Sequence, residues 1–346
     1  MGYRDHEPYL QFGGKIDPLS EIRNAGIITN GSVFWVKALT DTDYTTFKDN
    51  VGADVLVNTI QAGINKTRND KNDYVLIVPQ NGGTVYDVTT TVNMNKDRIH
   101  LIGVGYINSQ RGYSVTIRGF GTAGTASISN GLMNFTGGDG CEVAGIRFLG
   151  TAGTSAGGTV GNGGTGGLIT CGTGLKDLDM HHFRLDITGA QFDSGTPTGL
   201  LDCGSASTGL SFRDFLINEG TRTGLVNSPV ALGFNGEDVI FKDGIIQMHA
   251  ITTANTHAAA KGGTVTGLYV TFDNVNFINT NSGTLNASAV GGTLPSGAVG
   301  LIKSCPAIQV TQTGTSTQLF VSPTSGTATV VKNPFIGIGT TALINV

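Results

Sequence analysis

The fold is decided by the stretch Leu210-Ser-Phe-Arg-Asp214-Phe-Leu-Ile-Asn218. Apolar residues alternate on either side of Asp214, which is the pattern of a strand with one buried face. Asp, Asn and Gly enter the left-handed region of the backbone at the lowest cost. The stretch therefore predicts a strand, a sharp bend and a second strand.

Related stretches recur along the chain, each with a residue suited to a bend. The predicted bend residues are Gly145, Asp179, Asp214, Asp243 and Asn274. They recur at intervals of roughly 30 to 35 residues, which lies within the range of periods typical of repeat architectures. No helical pattern lies between the copies. A repeat of this period predicts a solenoid of β coils, in which each strand stacks in parallel on the next turn. The predicted fold class is thus all-β.

The composition supports a large β protein with many turns. The chain has 346 residues, of which 53 are Gly, and only 13% are charged, about half the usual share. The formal net charge is −4 and no run of Lys or Arg occurs, so nucleic acid and anionic membrane surfaces are not expected as partners. No stretch approaches the roughly 20 apolar residues of a membrane span. The opening residues carry no apolar run, so no secretory signal peptide is expected, and the sequence predicts synthesis in a cytoplasm.

The four cysteines, Cys141, Cys171, Cys203 and Cys305, include no Cys-x-x-Cys pair, which excludes a zinc site of that kind. The first three recur at a spacing close to the coil repeat. This spacing predicts a partial internal stack of reduced, buried thiols. The alternative is a disulfide between adjacent coils, which requires an oxidising location.

Residues 1–37 differ from the rest of the chain and are predicted to form an arm that ends in a single strand. Tyr3, Tyr9 and Phe12 are candidate docking residues, because a short arm cannot bury its aromatic side chains on itself. A disordered lead-in is the alternative.

Residues 38–73 contain the best helical candidate, which spans about 41–68. Thr40 or Asp41 is the candidate N-cap. An apolar stripe is formed by Val51, Val55, Leu56, Ile60 and Ile64. A solenoid has an open end that exposes its core and unpaired strand edges, and the helix is predicted to cap that end.

A family resemblance begins after this helix. The chain continues with Tyr74-Val-Leu-Ile-Val-Pro79, a Gly-Gly-Thr-Val-Tyr segment at 82–86, and Arg98-Ile-His-Leu-Ile-Gly-Val-Gly105. This order is similar to the opening of pectate-lyase-like right-handed parallel β-helices, and more narrowly to bacteriophage virion proteins with that fold. The likeness covers about 42–120 well and extends to about 280 by pattern only.

The resemblance implies a right-handed parallel β-helix over 74–306, with a short C-terminal β segment over 307–346. It also implies a homotrimer located in the virion. The expected function is that of a structural virion protein of a tailed phage, a capsid decoration or head-fibre protein whose arm binds the major capsid protein or another virion protein. The alternative is a tailspike-type protein that binds or degrades a host surface glycan.

Long Gly- and Thr-rich stretches at 150–167, 252–266 and 280–298 predict loops that project from the coils. Loops at matching places in successive coils are expected to form one face.

The sequence favours a structural role over an enzymatic one. The motifs of galacturonases and pectate lyases are absent, so no catalytic residue is carried over from the family. The best carboxylate pair is Asp193 and Glu219, which follow successive coils. The densest group of possible metal ligands is Asp179, His181, His182 and Asp186. Residues 181 and 182 point to opposite faces of a strand unless a bend intervenes, so neither a metal nor another cofactor is expected.

Overall fold

The structure is a computed structural model dominated by short parallel strands. It describes residues 31–81, 85–105, 115–119, 131–151, 168–188, 200–204, 206–218, 232–234, 236–248, 257–262, 269–279, 287–291, 299–305, 307–309 and 329–332. Within these residues the strands form two large parallel sheets. The sheets are best described as three ladders, in which each strand pairs with the equivalent strand one coil further along the chain.

The first ladder runs the full length of the described chain, and all its strand pairs are parallel. In spatial order its strands are β2 (Leu56–Val57), β1 (Val33–Val36), β3 (Asp73–Ile77), β6 (Ile99–Gly103), β9 (Glu142–Ala144), β12 (Asp179–Thr188), β14 (Leu210–Asn218), β16 (Asp238–Met248), β18 (Tyr269–Asn279), β20 (Val299–Lys303) and β22 (Thr329–Lys332).

The second ladder shares long strands with the first. Its strands are β4 (Tyr86–Val88), β7 (Val115–Gly119), β10 (Ile146–Thr151), the later parts of β12, β14, β16 and β18, and β21 (Ala307–Gln309). The third ladder is a separate sheet. Its strands are β5 (Val92–Met94), β8 (Met133–Phe135), β11 (Ile169–Cys171), β13 (Leu201–Cys203), β15 (Leu232–Phe234), β17 (His257–Gly262) and β19 (Ala287–Gly291).

The chain visits the three ladders in turn, as in the sequence β6, β7, β8 and then β9. We call each such circuit a coil. Long parallel sheets traversed in this order are compatible with an all-β parallel solenoid, which agrees with the coarse prediction from the repeat.

The core is built from inward side chains that stack in register from coil to coil. One such row in the first ladder consists of Val75, Leu101, Val143, Met180, Phe212, Phe241 and Phe272, all of them buried. The ring of Phe241 stacks on those of Phe212 and Phe272, with centroids 5.1 Å apart in both pairs. Each coil therefore buries its apolar face against both of its neighbours.

The bends between the first and second ladders also lie in register. Positive φ angles occur at Gly145 (71°), His182 (48°), Asp214 (52°), Asp243 (52°) and Asn274 (55°). The predicted bend at Asp179 is wrong, because that residue begins β12 and pairs with Glu142 and Ser211. The inward row requires Met180 to stand beside Val143 and Phe212, and this register places His182 at the bend.

Close packing of the backbone explains the glycine at the first of these bends. A Cβ atom on Gly145 would lie 2.4 Å from the carbonyl oxygen of Gly103, the equivalent residue one coil earlier. Since Gly145 also has a positive φ, no other residue fits there without strain.

The N-terminal region forms two short helices, α1 (Tyr44–Val51) and α2 (Ile60–Lys66), and not the single helix predicted over 41–68. Gly52, with φ of 93°, follows α1, and Leu56 then pairs with Trp35 as part of β2. The predicted caps are also wrong. Asp43 is the N-cap of α1, and Thr59 caps α2 by accepting a hydrogen bond from the backbone N–H of Ala62 at 3.1 Å.

The two helices contact different sides of the first ladder. In α2, Ile60, Gly63 and Ile64 are buried, and the two isoleucines belong to the main core. In α1, the ring of Phe47 packs edge-on against Trp35 at 5.7 Å, within a smaller apolar cluster that also contains Leu76.

Candidate functional site

Five residues singled out from the sequence lie outside the described residues. They are the candidate docking residues Tyr3, Tyr9 and Phe12 and the candidate carboxylate pair Asp193 and Glu219. The Gly- and Thr-rich stretch at 150–167 falls almost entirely outside as well. The stretches at 252–266 and 280–298 are described in part, and the prediction that they are loops is wrong there, because they contain β17 (His257–Gly262) and β19 (Ala287–Gly291), which pair in the third ladder. The site is therefore built from the coils themselves.

A row of polar side chains crosses the outer face of the first ladder. Tyr74, His100, Glu142 and Asp179 occupy equivalent positions in four successive coils. The rings of Tyr74 and His100 stack with their centroids 4.2 Å apart. Alternation along each strand turns these residues outward, because their neighbours Val75, Leu101, Val143 and Met180 face the core.

Glu142 lies at the centre of this row and bonds to a histidine on each side. Its Oε2 lies 2.6 Å from Nδ1 of His100, and its Oε1 lies 2.8 Å from Nε2 of His181. Burial acts to raise the pKa of Glu142, but the hydrogen bonds from the two histidines outweigh it and lower the pKa to about 2. Glu142 is consequently an ionised carboxylate that joins β6, β9 and β12.

The bend in β12 brings His182 to the same site. His182 follows His181 directly, and in a regular strand the two side chains would point to opposite faces. Because the backbone turns at His182, the Nδ1 atoms of the two rings lie 2.8 Å apart. Nε2 of His182 lies 3.9 Å from Oδ2 of Asp214, the bend residue of the next coil. We call His100, Glu142, His181, His182 and Asp214 the histidine cluster.

Asp179 and Asp186, which the sequence grouped with the two histidines, are bound elsewhere. Asp179 accepts hydrogen bonds from Nε and Nη2 of Arg213 at 3.1 and 2.7 Å. Asp186 is buried on the second ladder, where Oδ2 lies 2.6 Å from Nε of both Arg147 and Arg184. The predicted group of four is therefore divided among three places.

Sequence reasoning missed His100 and Glu142. His100 and Glu142 are 42 residues apart, and Glu142 and His181 are 39 residues apart. At these separations no local pattern in the sequence signals a contact. A signal did exist for His182, because it follows Gly145 and precedes Asp214 by roughly 30 to 40 residues, a step close to the coil repeat.

The cysteines are all free and buried, and two of them stack. Cys171 and Cys203 are register partners in β11 and β13 of the third ladder. Burial, with a contribution from Cys171, raises the pKa of the Cys203 thiol. Cys141 is not part of this stack, contrary to the prediction: it precedes β9 in the first ladder, its Sγ accepts a hydrogen bond from the N–H of Ile99 at 3.3 Å, and burial raises its pKa to about 12.

Among the described residues, no group of three or more His, Cys, Asp or Glu side chains is placed to hold a metal ion. No helix of the described chain has the length and apolarity needed to cross a membrane. Comparisons of the chain with family models, with curated proteins and with solved structures give no match.

The low pKa of Glu142 predicts a specific acid sensitivity. A carboxyl group whose pKa is lowered by folding stabilises the folded state. This stabilisation is present above about pH 4.5, the ordinary pKa of Glu, and is lost as the pH falls towards about 2. At about 1.4 kcal/mol per pKa unit, reduced by solvent screening of this partly exposed group, the loss is on the order of 2 kcal/mol. Denaturant unfolding of the wild type and of Glu142→Gln at several pH values checks it.

The two proteins should converge in stability as the pH falls from 5 to 2.5, because the variant has no carboxylate to protonate. A difference that stays constant over this range would mean that the carboxylate is not the titrating group.

Proposed function

We propose that this protein is a structural virion protein of a tailed bacteriophage, either a capsid decoration or a head-fibre protein. In this proposal the parallel solenoid is a right-handed, pectate-lyase-like β-helix with a helical cap at its N-terminal end. The resemblance of residues 42–120 to the opening of such virion proteins supports it, as do the stacked parallel coils that follow.

The observation that carries the proposal is the position of the N-terminal segment relative to the ladder. β2 and β1 lie at one end of the first ladder and β22 lies at the other. The chain passes from residues 1–30, which lie outside the described residues, through Gly31 and Ser32 into β1 at this end. Attachment through them would hold an elongated body by one end, which is the geometry of a fibre or a surface projection.

The polar contacts of the outer face support a mechanical role. Glu142 joins three coils through its two histidines, and Asp179, Asp87 and Asp273 are each paired with a cation one coil away. Such contacts add to the continuous backbone hydrogen bonding of the ladders, in which each strand satisfies the groups of its neighbour. A solenoid attached to a particle by one end must resist local separation of its coils, and these contacts provide that resistance.

Deleting residues 1–30 is expected to abolish binding to the particle and to leave the thermal unfolding of the solenoid unchanged. The measurement is co-sedimentation of purified protein with particles, lacking this protein, of the phage whose genome carries the gene. Asp193→Asn/Glu219→Gln is the control variant and should bind as the wild type does. Binding by the deletion variant would refute the role of the arm.

Cryo-EM of the complete particle, with the mass of the purified protein, tests the location and the trimer. Regular copies on the head lattice and a mass of three chains are expected. Copies confined to the tail would overturn the proposal in favour of a receptor-binding or glycan-degrading tailspike, and Asp193 and Glu219 would then be assayed for glycan cleavage.

A further inference from the structure

We propose that His181 and His182 form a pH-sensitive latch on the outer face of the solenoid. The two rings hold each other while they share one Nδ1 proton, and the contact opens when both rings become cationic. This inference is independent of the virion role proposed above. It rests on three features of the histidine cluster: the end-on contact of the two Nδ1 atoms, the carboxylates that flank the pair, and the exposure of His182.

The two histidine rings meet end-on. Their Nδ1 atoms lie 2.8 Å apart, whereas the ring centroids are 5.1 Å apart and the ring planes cross at 78°. A separation of 2.8 Å is that of a hydrogen bond, so one Nδ1 carries a proton and donates it to the lone pair of the other. Consecutive side chains of a regular strand project to opposite faces, and the positive φ of His182 (48°) brings these two together.

This contact limits the number of protons that the two rings can hold. A neutral imidazole carries one ring proton and a cationic imidazole carries two, so the pair holds between two and four. With two or three protons, one Nδ1 still has a lone pair and the hydrogen bond persists. With four protons both Nδ1 atoms are donors, and two N–H groups of like charge face each other. The closed pair therefore holds at most three protons, whereas two separated rings hold four.

Acid consequently favours the open pair, because the open pair binds one proton more than the closed pair. Above the titration range, separated rings hold no extra proton, and the hydrogen bond keeps the pair closed. Histidine rings in water gain their second proton as the pH falls from about 8 to about 5, so we expect the latch to open in this range. The opening is thus distinct from the acid sensitivity predicted for Glu142, which has a pKa of about 2.

Glu142 anchors one ring of the pair and leaves the other to move. Its Oε1 accepts a hydrogen bond from Nε2 of His181 at 2.8 Å, and this bond persists whether His181 is neutral or cationic. The side chains of His181 and His182 are 16% and 42% exposed. The ring of His182 is therefore the one that turns towards solvent when the latch opens. The titratable side chains of His100 and Tyr74 lie one and two coils beyond Glu142, on the side away from the pair.

The charges on the following coil favour the pair with three protons. Nε2 of His182 lies 3.9 Å from Oδ2 of Asp214, whose negative charge stabilises a cation on this ring. Arg213, the register partner of His181, is a fixed cation, but its guanidinium donates to Asp179 at 3.1 and 2.7 Å, which balances its charge. One added proton therefore leaves the latch closed, and only the next proton opens it.

The test is solid-state NMR of the full-length protein with nitrogen-15 in its histidine side chains only. The chain has 6 histidines, so the spectrum is simple. At pH 8 the wild type should show one ring proton that is coupled to two Nδ1 nuclei. This signal should fall at least about tenfold by pH 5 and return when the pH is raised again. Absence of the shared proton at pH 8, or its persistence at pH 5, would overturn the proposal.

Two variants assign the signal. His182→Asn should remove it at every pH, and Asn also adopts positive φ, so the bend is retained. His100→Gln is the matched control, because it removes the other histidine bound to Glu142 but keeps the pair, and it should show the same signal and the same loss by pH 5. Circular dichroism checks that both variants are folded. A signal that survives in His182→Asn, or a pH dependence that disappears in His100→Gln, would refute the assignment of the latch to His181 and His182.

Discussion

Replacing Phe241 with Ala should lower the free energy of unfolding by about 3–5 kcal/mol, the cost of removing a large buried aromatic side chain. Phe241 is fully buried, and its ring stacks between those of Phe212 and Phe272. Both contacts join different coils, so the cavity would weaken the interface with the coil before and the coil after. Guanidinium-induced unfolding of the two proteins measures the difference.

Ile240→Ala is the matched control, because this neighbouring side chain lies on the outer face and is 39% exposed. Its loss should cost less than about 1 kcal/mol, since little apolar surface is returned to water. Equal losses in the two variants would mean that the stacked ring is not a source of cohesion between coils.

The repeat could be recognised from sequence because each coil carries its own local information. Apolar alternation around Asp214, Asp243 and Asn274 specifies two strands and a bend without reference to the rest of the chain. Asp179 was a wrong choice for a physical reason. Turn propensity favours Asp179, but Asp179 and His182 are both residue types that adopt positive φ, and the register of Met180 with its neighbours in the core decides the position.

The N-terminal helix was mispredicted because a distant strand competes for its residues. Leu56 fits the apolar stripe of a helix from 41 to 68 equally well as it fits a strand. Only pairing with another strand decides between the two structures. The residue that pairs with Leu56 is Trp35 in β1, which precedes α1 in the sequence. Pairing with a distant strand therefore overrides the local propensity for helix around Leu56.

The histidine cluster could be predicted only in part. His181 and His182 were recognisable as neighbours, and a bend was the stated condition for their meeting. Contact with His100 and Glu142 depends on the register between coils. This register is set by core side chains that are distant in the sequence, such as Val143, Met180 and Phe212, so no local pattern reveals it.

Lys37→Met should lower the free energy of unfolding by about 3 kcal/mol, because it leaves a buried carboxylate without its partner. Nζ of Lys37 lies 2.9 Å from Oδ2 of Asp41, and both side chains are only 1% exposed. Burial acts to raise the pKa of Asp41, but hydrogen bonds from Lys37 and from the N–H of Asn81 outweigh it and lower the pKa. Asp41 is thus charged and buried, and the variant removes the cation while Met keeps most of the apolar stem. Thermal and denaturant unfolding measure the loss.

The matched control is Lys303→Met, at the other end of the first ladder. Lys303 pairs with Asp273 at 3.5 Å, but its side chain is 53% exposed, so the loss should stay below about 1 kcal/mol. Adding Asp41→Asn to Lys37→Met should recover part of the lost stability, since the unpaired carboxylate that is only 1% exposed is then removed. Asp43, whose Oδ1 lies 2.8 Å from Nζ of Lys37, still loses its cation, so the recovery is partial. If Lys37→Met costs no more than Lys303→Met, the pair does not hold α1 against the first coil. α1 would then be held mainly by apolar contacts such as that between Trp35 and Phe47.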